Sequence, residues 1–106
     1  MAIKDSITSF SATISSDTLT VVNDFPICII TVCAESGVTD TLTTITGMKT
    51  NQLFFLIADS GDTITWTRGT GNIKGPTATY SLSGYKVIAV YYDGTYVKEL
   101  LRSPNA

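Results

Sequence analysis

Asp59 and Asp62 enclose a Ser-Gly pair, and two carboxylates brought together by a turn can divide acid and base roles or, with backbone carbonyls, hold calcium. The segment lacks the alternating ligand series of a calcium loop. Asp is also a standard turn residue, because its side chain bonds the backbone two positions on, so the turn reading is preferred. Asp93 stands before Gly94 in a hairpin dipeptide, and turn geometry accounts for it. The run Arg68-Gly69-Thr70-Gly71-Asn72-Ile73-Lys74-Gly75 carries glycines and two cations. Counted from Gly69 and Gly71, the third glycine of a dinucleotide loop would fall on Lys74, and no helix follows to bind phosphate at its N-terminus. Cys28 and Cys33 lie in one strand candidate at an odd spacing, so they face opposite sides and form no disulfide within that strand. The sequence has no histidine. That removes the commonest general base near neutral pH, every Ser-His or Cys-His arrangement, and most zinc and non-haem iron sites. No metal, no cofactor and no catalytic residue is expected.

The elements that would position these residues are strands. Thr, Val, Ile, Tyr and Phe dominate the sequence and suit a pleated, half-buried surface. Strands are predicted at residues 18–23, 27–34, 41–46, 53–58, 63–67, 78–82, 86–92 and 95–101, with turn signals between them. That pattern predicts an all-β, single-domain, antiparallel β-sandwich or barrel-like fold of about eight short strands. Segment 53–58 is apolar without interruption, so both its faces should be covered. Residues 1–16 form an N-terminal arm, 17–102 the β-domain and 103–106 a frayed tail. In the arm, Ile3, Ile7, Phe10 and Ile14 are spaced like a helical face. The Ser and Thr residues between them favour an extended chain that packs on a neighbour.

The chain has 106 residues, with 43% hydrophobic and only 15% charged, against about 25% charged in an average domain. So few charges cannot cover a small globule, and part of the apolar surface should be buried between subunits. The seven Lys and Arg residues are scattered and the net charge is −2, which argues against nucleic acid. No run is long and apolar enough for a membrane helix, and the first residues have no apolar signal core. Reduced thiols fit assembly in a cytoplasm. Trp66, Tyr80, Tyr85, Tyr91, Tyr92 and Tyr96 crowd the second half. They are read as core or interface aromatics, with Trp66, Tyr91, Tyr92 and Tyr96 as the candidate partner or glycan surface.

The order of motifs in the second half is a further signal. Thr44-Ile45-Thr46-Gly47 is followed by segment 53–58, Gly61-Asp62-Thr63-Ile64-Thr65, Gly69-Thr70-Gly71-Asn72-Ile73, the apolar run from Val87 to Val90, and Tyr91-Tyr92-Asp93-Gly94-Thr95-Tyr96-Val97-Lys98-Glu99-Leu100. This series resembles a β-module of tailed-phage virion proteins, in which an Ile-x-Gly turn leads to an apolar strand, an Ile-Thr strand, a Gly-Asn-Ile loop and a Tyr-Asp-Gly-Thr-Trp hairpin ending in Glu-Leu. The likeness covers about residues 44–102. Tyr96 stands where the module usually has Trp, Asn51 where a second glycine is common, and residues 1–43 have no counterpart. Such modules occur in tail fibres and in small capsid decoration or cement proteins, generally as trimers, and bring no catalytic residues.

The resemblance implies a non-enzymatic homotrimeric decoration subunit, located in the virion after assembly in the host cytoplasm. Its partners would be copies of itself and the major capsid protein; the location and composition of the arm, and not the resemblance, point to Ile3, Ile7, Phe10 and Ile14 as the contact to the latter. The alternative is a receptor- or glycan-binding tail-fibre domain using Trp66 and the tyrosines. A carboxylate-dependent hydrolase is the weakest reading.

Overall fold

A computed structural model describes residues 7–22, 25–69, 71–74 and 79–103. Among them are eleven strands and no helix: β1 (Ile7–Thr13), β2 (Thr18–Thr20), β3 (Ile27–Cys33), β4 (Thr39–Leu42), β5 (Thr44–Thr46), β6 (Leu53–Ala58), β7 (Thr63–Thr67), β8 (Ile73–Lys74), β9 (Thr79–Ser83), β10 (Ile88–Tyr92) and β11 (Val97–Arg102).

The all-β expectation holds, but the arrangement is a β-solenoid of stacked coils and not a sandwich or barrel. β1, β3 and β6 lie side by side and parallel, with Ile7 opposite Ile27 and Ile27 opposite Leu53. β2 pairs parallel with β5, and β4 with β7. The chain thus runs along one wall, turns onto the others, and returns one step further along. Only the last strands reverse direction. β9 is antiparallel to β7, β10 to β6 and β11 to β10, which closes one end of the stack. The longest wall is a six-stranded sheet in the order β1-β3-β6-β10-β11-β8. Alternation of apolar and polar residues has period two in parallel and antiparallel strands alike, so it marks the strands without naming their partners.

The core lies between the walls. Ile30, Leu56 and Ile88 meet Leu42, Ile64, Trp66 and Leu82, with Leu19 and Ile45 from the third wall, all at 0–1% exposure. Corners are made by local chemistry. The segment read as one strand at 41–46 bends at Thr43 and divides into β4 and β5; the Thr43 N–H donates to the Asp17 carbonyl at 3.0 Å. Gly47 follows β5 with φ of +83°, and a Cβ there would run into the Val21 carbonyl, so only glycine fits. Asn51 has φ of +70°, a left-handed conformation that Asn tolerates best after Gly.

Residues 7–16 are not a detached arm. Ile7–Thr13 is the first strand of the large sheet, and Ile14 is fully buried in the core. Ile3 lies outside the described residues. The helical spacing had no helix behind it because Ser and Thr between the apolar positions suit a pleated strand better. Ser103 is not frayed either: its N–H donates to the Val87 carbonyl at 2.9 Å, and its own carbonyl accepts the Tyr80 hydroxyl at 2.6 Å. Residues 104–106 lie outside the described residues. No described helix is long and apolar enough to cross a membrane.

Candidate functional site

The candidate catalytic groups are tied into turns. The Asp62 carboxylate accepts the Ala34 N–H at 2.9 Å, and the Asp62 N–H donates to the Asp59 carbonyl at 2.9 Å. Asp93 accepts the N–H groups of Thr95 at 2.8 Å and Tyr96 at 2.7 Å and pairs with Lys98 at 3.1 Å. The Tyr96 and Thr95 N–H bonds hold its carboxyl down at about 2, with Lys98 adding to the effect. Lys98 is raised in turn, chiefly by the hydrogen bond to Asp93. The hairpin read at Asp93-Gly94 is present, with a four-residue loop between β10 and β11.

Cys28 is buried, Cys33 partly so, and neither is in a disulfide. Burial pushes both thiols up; beside Cys33 the Asp59 charge adds to the effect. Among the described residues no group of His, Cys, Asp or Glu could hold a metal ion.

Trp66 corrects the sequence reading: it is 1% exposed, so neither ring face is open to a sugar. Its indole N–H donates to Glu99 Oε1 at 2.9 Å, and Arg102 donates to both oxygens of the same carboxylate at 2.5 Å. The Arg102 guanidinium lies 4.4 Å from the Tyr80 ring centre, a cation–π contact. Glu99, whose side chain is 2% exposed, is a buried charge whose partners satisfy it. Nothing in the residue types signalled this, because a β-bulge between Ala89 and Val90 sets the register that turns Glu99 inward.

The tyrosines divide. Tyr92 packs on the core and donates from its hydroxyl to the Gly94 carbonyl. Tyr96 is 40% exposed, with the Lys74 ammonium 4.5 Å from its ring centre. Tyr85, which is not among the candidate surface residues, is fully exposed. It borders an open hollow of about 380 Å³ with Asp59 and Ser60.

Tyr91 belongs to a larger feature, the outer face of the six-stranded sheet. β3 and β6 are apolar at both parities. Cys28, Ile30, Val32, Phe54, Leu56 and Ala58 point into the core, so their neighbours must point out. The register aligns these in rows. One runs Ile7, Ile27, Leu53, Tyr91, Lys98; the next runs Ser9, Ile29, Phe55, Ala89, Leu101; a third includes Ser11, Thr31 and Ile57. In the rows named, charge enters only at one end, where Lys98, paired with Asp93, is followed by Lys74 on β8. Ile29 and Leu101 are 37% and 60% exposed. Segment 53–58 therefore has one face in the core and the other half-open. Comparison with known protein families, with curated proteins and with solved structures returns no match.

Proposed function

We propose that this chain is a structural subunit of a phage virion, a homotrimeric capsid decoration subunit that locks onto copies of itself through the outer face of the six-stranded sheet. The observation that carries the reading is the row structure of that face. A contiguous apolar surface whose charges, Lys98 and Lys74, stand at its border is what a subunit interface buries. The low charge content and the likeness of residues 44–102 to phage virion modules support the same reading. The aspartates with described partners serve turns and a hairpin, which favours a structural over a hydrolytic role. Contact with the major capsid protein would then involve surfaces near β1, where Ile7 and Phe10 lie at the edge of the sheet.

Light scattering tests this. The expected mass is three times the 11.3 kDa of one chain, or a multiple of that. Ile29→Glu with Leu101→Glu places acids among the apolar rows and should abolish the threefold association with an unchanged circular-dichroism spectrum. A parent chain that is monomeric at high concentration would refute it. Co-sedimentation with purified capsids separates a shell subunit from a tail component. The alternative, a receptor- or glycan-binding tail-fibre domain, is favoured only by the exposure of Tyr85 and Tyr96, and Trp66 takes no part in it.

A further inference from the structure

Among the described residues, β1 pairs with β3 alone, so one of its edges is open. Proteins commonly blunt such an edge with Lys, Pro, a bulge or a very short strand. β1 has none of these. It is seven residues long, reads Ile-Thr-Ser-Phe-Ser-Ala-Thr without a charge, and keeps an unbroken register along its whole length. The opposite end of the same sheet is the two-residue β8, which ends in Lys74.

The centre of β1, Ser9-Phe10-Ser11, reads the same in both directions. In an antiparallel pair centred there, Ser9 stands opposite Ser11 of the second copy, Thr8 opposite Ala12, and Phe10 opposite itself. Period two keeps each of these pairs on one face. Phe10 and Ala12 already pack toward the core, so the paired phenylalanines would join the two interiors. Ser9, Ser11 and Thr13 are exposed, and no charge on the strand opposes the approach.

We infer that β1 is a two-fold docking edge: a second copy of this chain adds its own β1 antiparallel, in the register centred on Phe10, and extends the six-stranded sheet across the axis. This contact is made by the backbone of the edge and does not depend on the outer face proposed for trimer formation, although Ser9 and Ser11 also stand in rows of that face. An isologous pairing of this kind closes on itself, and the hydrogen bonds of the open edge supply the affinity.

The register gives a charge-swap test on the full chain. Ser9→Lys with Ser11→Lys sets Lys against Lys at both symmetry-related positions. Ser9→Lys with Ser11→Glu sets Lys against Glu at the same positions and on the same exposed sites. The double-lysine variant should dissociate on the order of tenfold more readily at low salt, from two like-charge cross-strand pairs. Ser9 and Ser11 also stand in rows of the outer face, so both variants load that face with two charges, and the edge contact is read from the comparison between them. The assembled mass of the double-lysine variant should be at most half that of the Lys/Glu variant. Amide exchange supplies the second reading: in the parent, the alternate N–H groups of Ile7–Thr13 that face away from β3 should be protected, and in the double-lysine variant they should exchange freely. Equal masses for the Lys/Glu and double-lysine variants, or outward amides that exchange freely in the parent, would overturn the inference. A chain that forms dimers but not trimers would refute the decoration reading and leave this one standing.

Discussion

Asn72 occupies the place of a missing strand. Beside β5 its side-chain amide donates to the Ile45 carbonyl at 2.7 Å, and its Oδ1 accepts the Ile45 N–H at 3.0 Å. These are the bonds that one more parallel neighbour would have made. Ile45 is 0% exposed, so its backbone groups gain little from water if the amide is removed. Asn72→Ala deletes two hydrogen bonds, each worth about 1 kcal/mol, and adds part of the ~1–3 kcal/mol cost of an unmet buried group. Asn72 is itself half-buried, so some water can enter, and the total should be about 2–3 kcal/mol. For a domain of this size that lowers Tm by roughly 8–15 °C.

Asn72→Asp separates the two bonds. Its carboxylate still accepts from the Ile45 N–H but opposes the Ile45 carbonyl, whereas the protonated acid can donate to it. The folded state then favours the neutral form and raises the carboxyl pKa. The extra stability is complete below the unfolded carboxyl pKa and is lost as pH rises through the folded one. Urea melts at pH 3 and pH 7, referenced to the parent, measure this, together with exchange of the Ile45 amide. A change below about 0.5 kcal/mol for Asn72→Ala, with the Ile45 amide still protected, would refute the reasoning.

Two further outcomes follow from the same geometry. Trp66→Phe leaves Glu99 without one donor inside the core and should cost about 2 kcal/mol, the worth of a hydrogen bond to a charged group. It should appear as a lower urea midpoint at unchanged m-value, and a midpoint equal to the parent's would count against the buried network. Asp93, held at about 2 against an ordinary 3.8, steadies the β10–β11 hairpin fully above pH 3.8, and that support is lost as pH falls through about 2. Carboxyl carbon shifts in NMR should titrate near the lower value, and a midpoint near 3.8 would show that the Thr95 and Tyr96 bonds do not form in solution.

The strands were legible from side-chain type at 27–33 and 53–58, and from type and period two together at 63–67. The Asp93-Gly94 hairpin was legible from turn chemistry. The coverage expected on both faces of 53–58 is half met, because Phe54 and Leu56 are in the core while Leu53, Phe55 and Ile57 wait on a neighbour. The stacking was not legible. Each parallel partner lies a full coil away, and the coils are unequal: the step from Ile7 to Ile27 is shorter than that from Ile27 to Leu53. No fixed period therefore emerges. In the glycine run at 68–75, Gly71 is a point of close backbone approach. A Cβ there would strike the Thr43 carbonyl, which lets Asn72 reach Ile45. The core reading of Trp66 holds and its candidacy for a glycan surface does not; an indole beside polar threonines gives no sign of a carboxylate thirty-odd positions on that will meet its N–H.

The late position of β10 in the chain has a consequence for biosynthesis. The Leu53–Ala58 segment is paired on one side by β3, which precedes it, and on the other by Ile88–Tyr92. Translation at about 5–20 residues per second leaves that second side empty for a few seconds after the segment leaves the ribosome. During that interval Leu-Phe-Phe-Leu-Ile-Ala is an uncharged, proline-free hexapeptide of the kind that seeds intermolecular cross-β contacts. Slow decoding between the two segments, or overexpression that crowds nascent chains, should therefore divert this protein into inclusion bodies before its final hairpin can arrive.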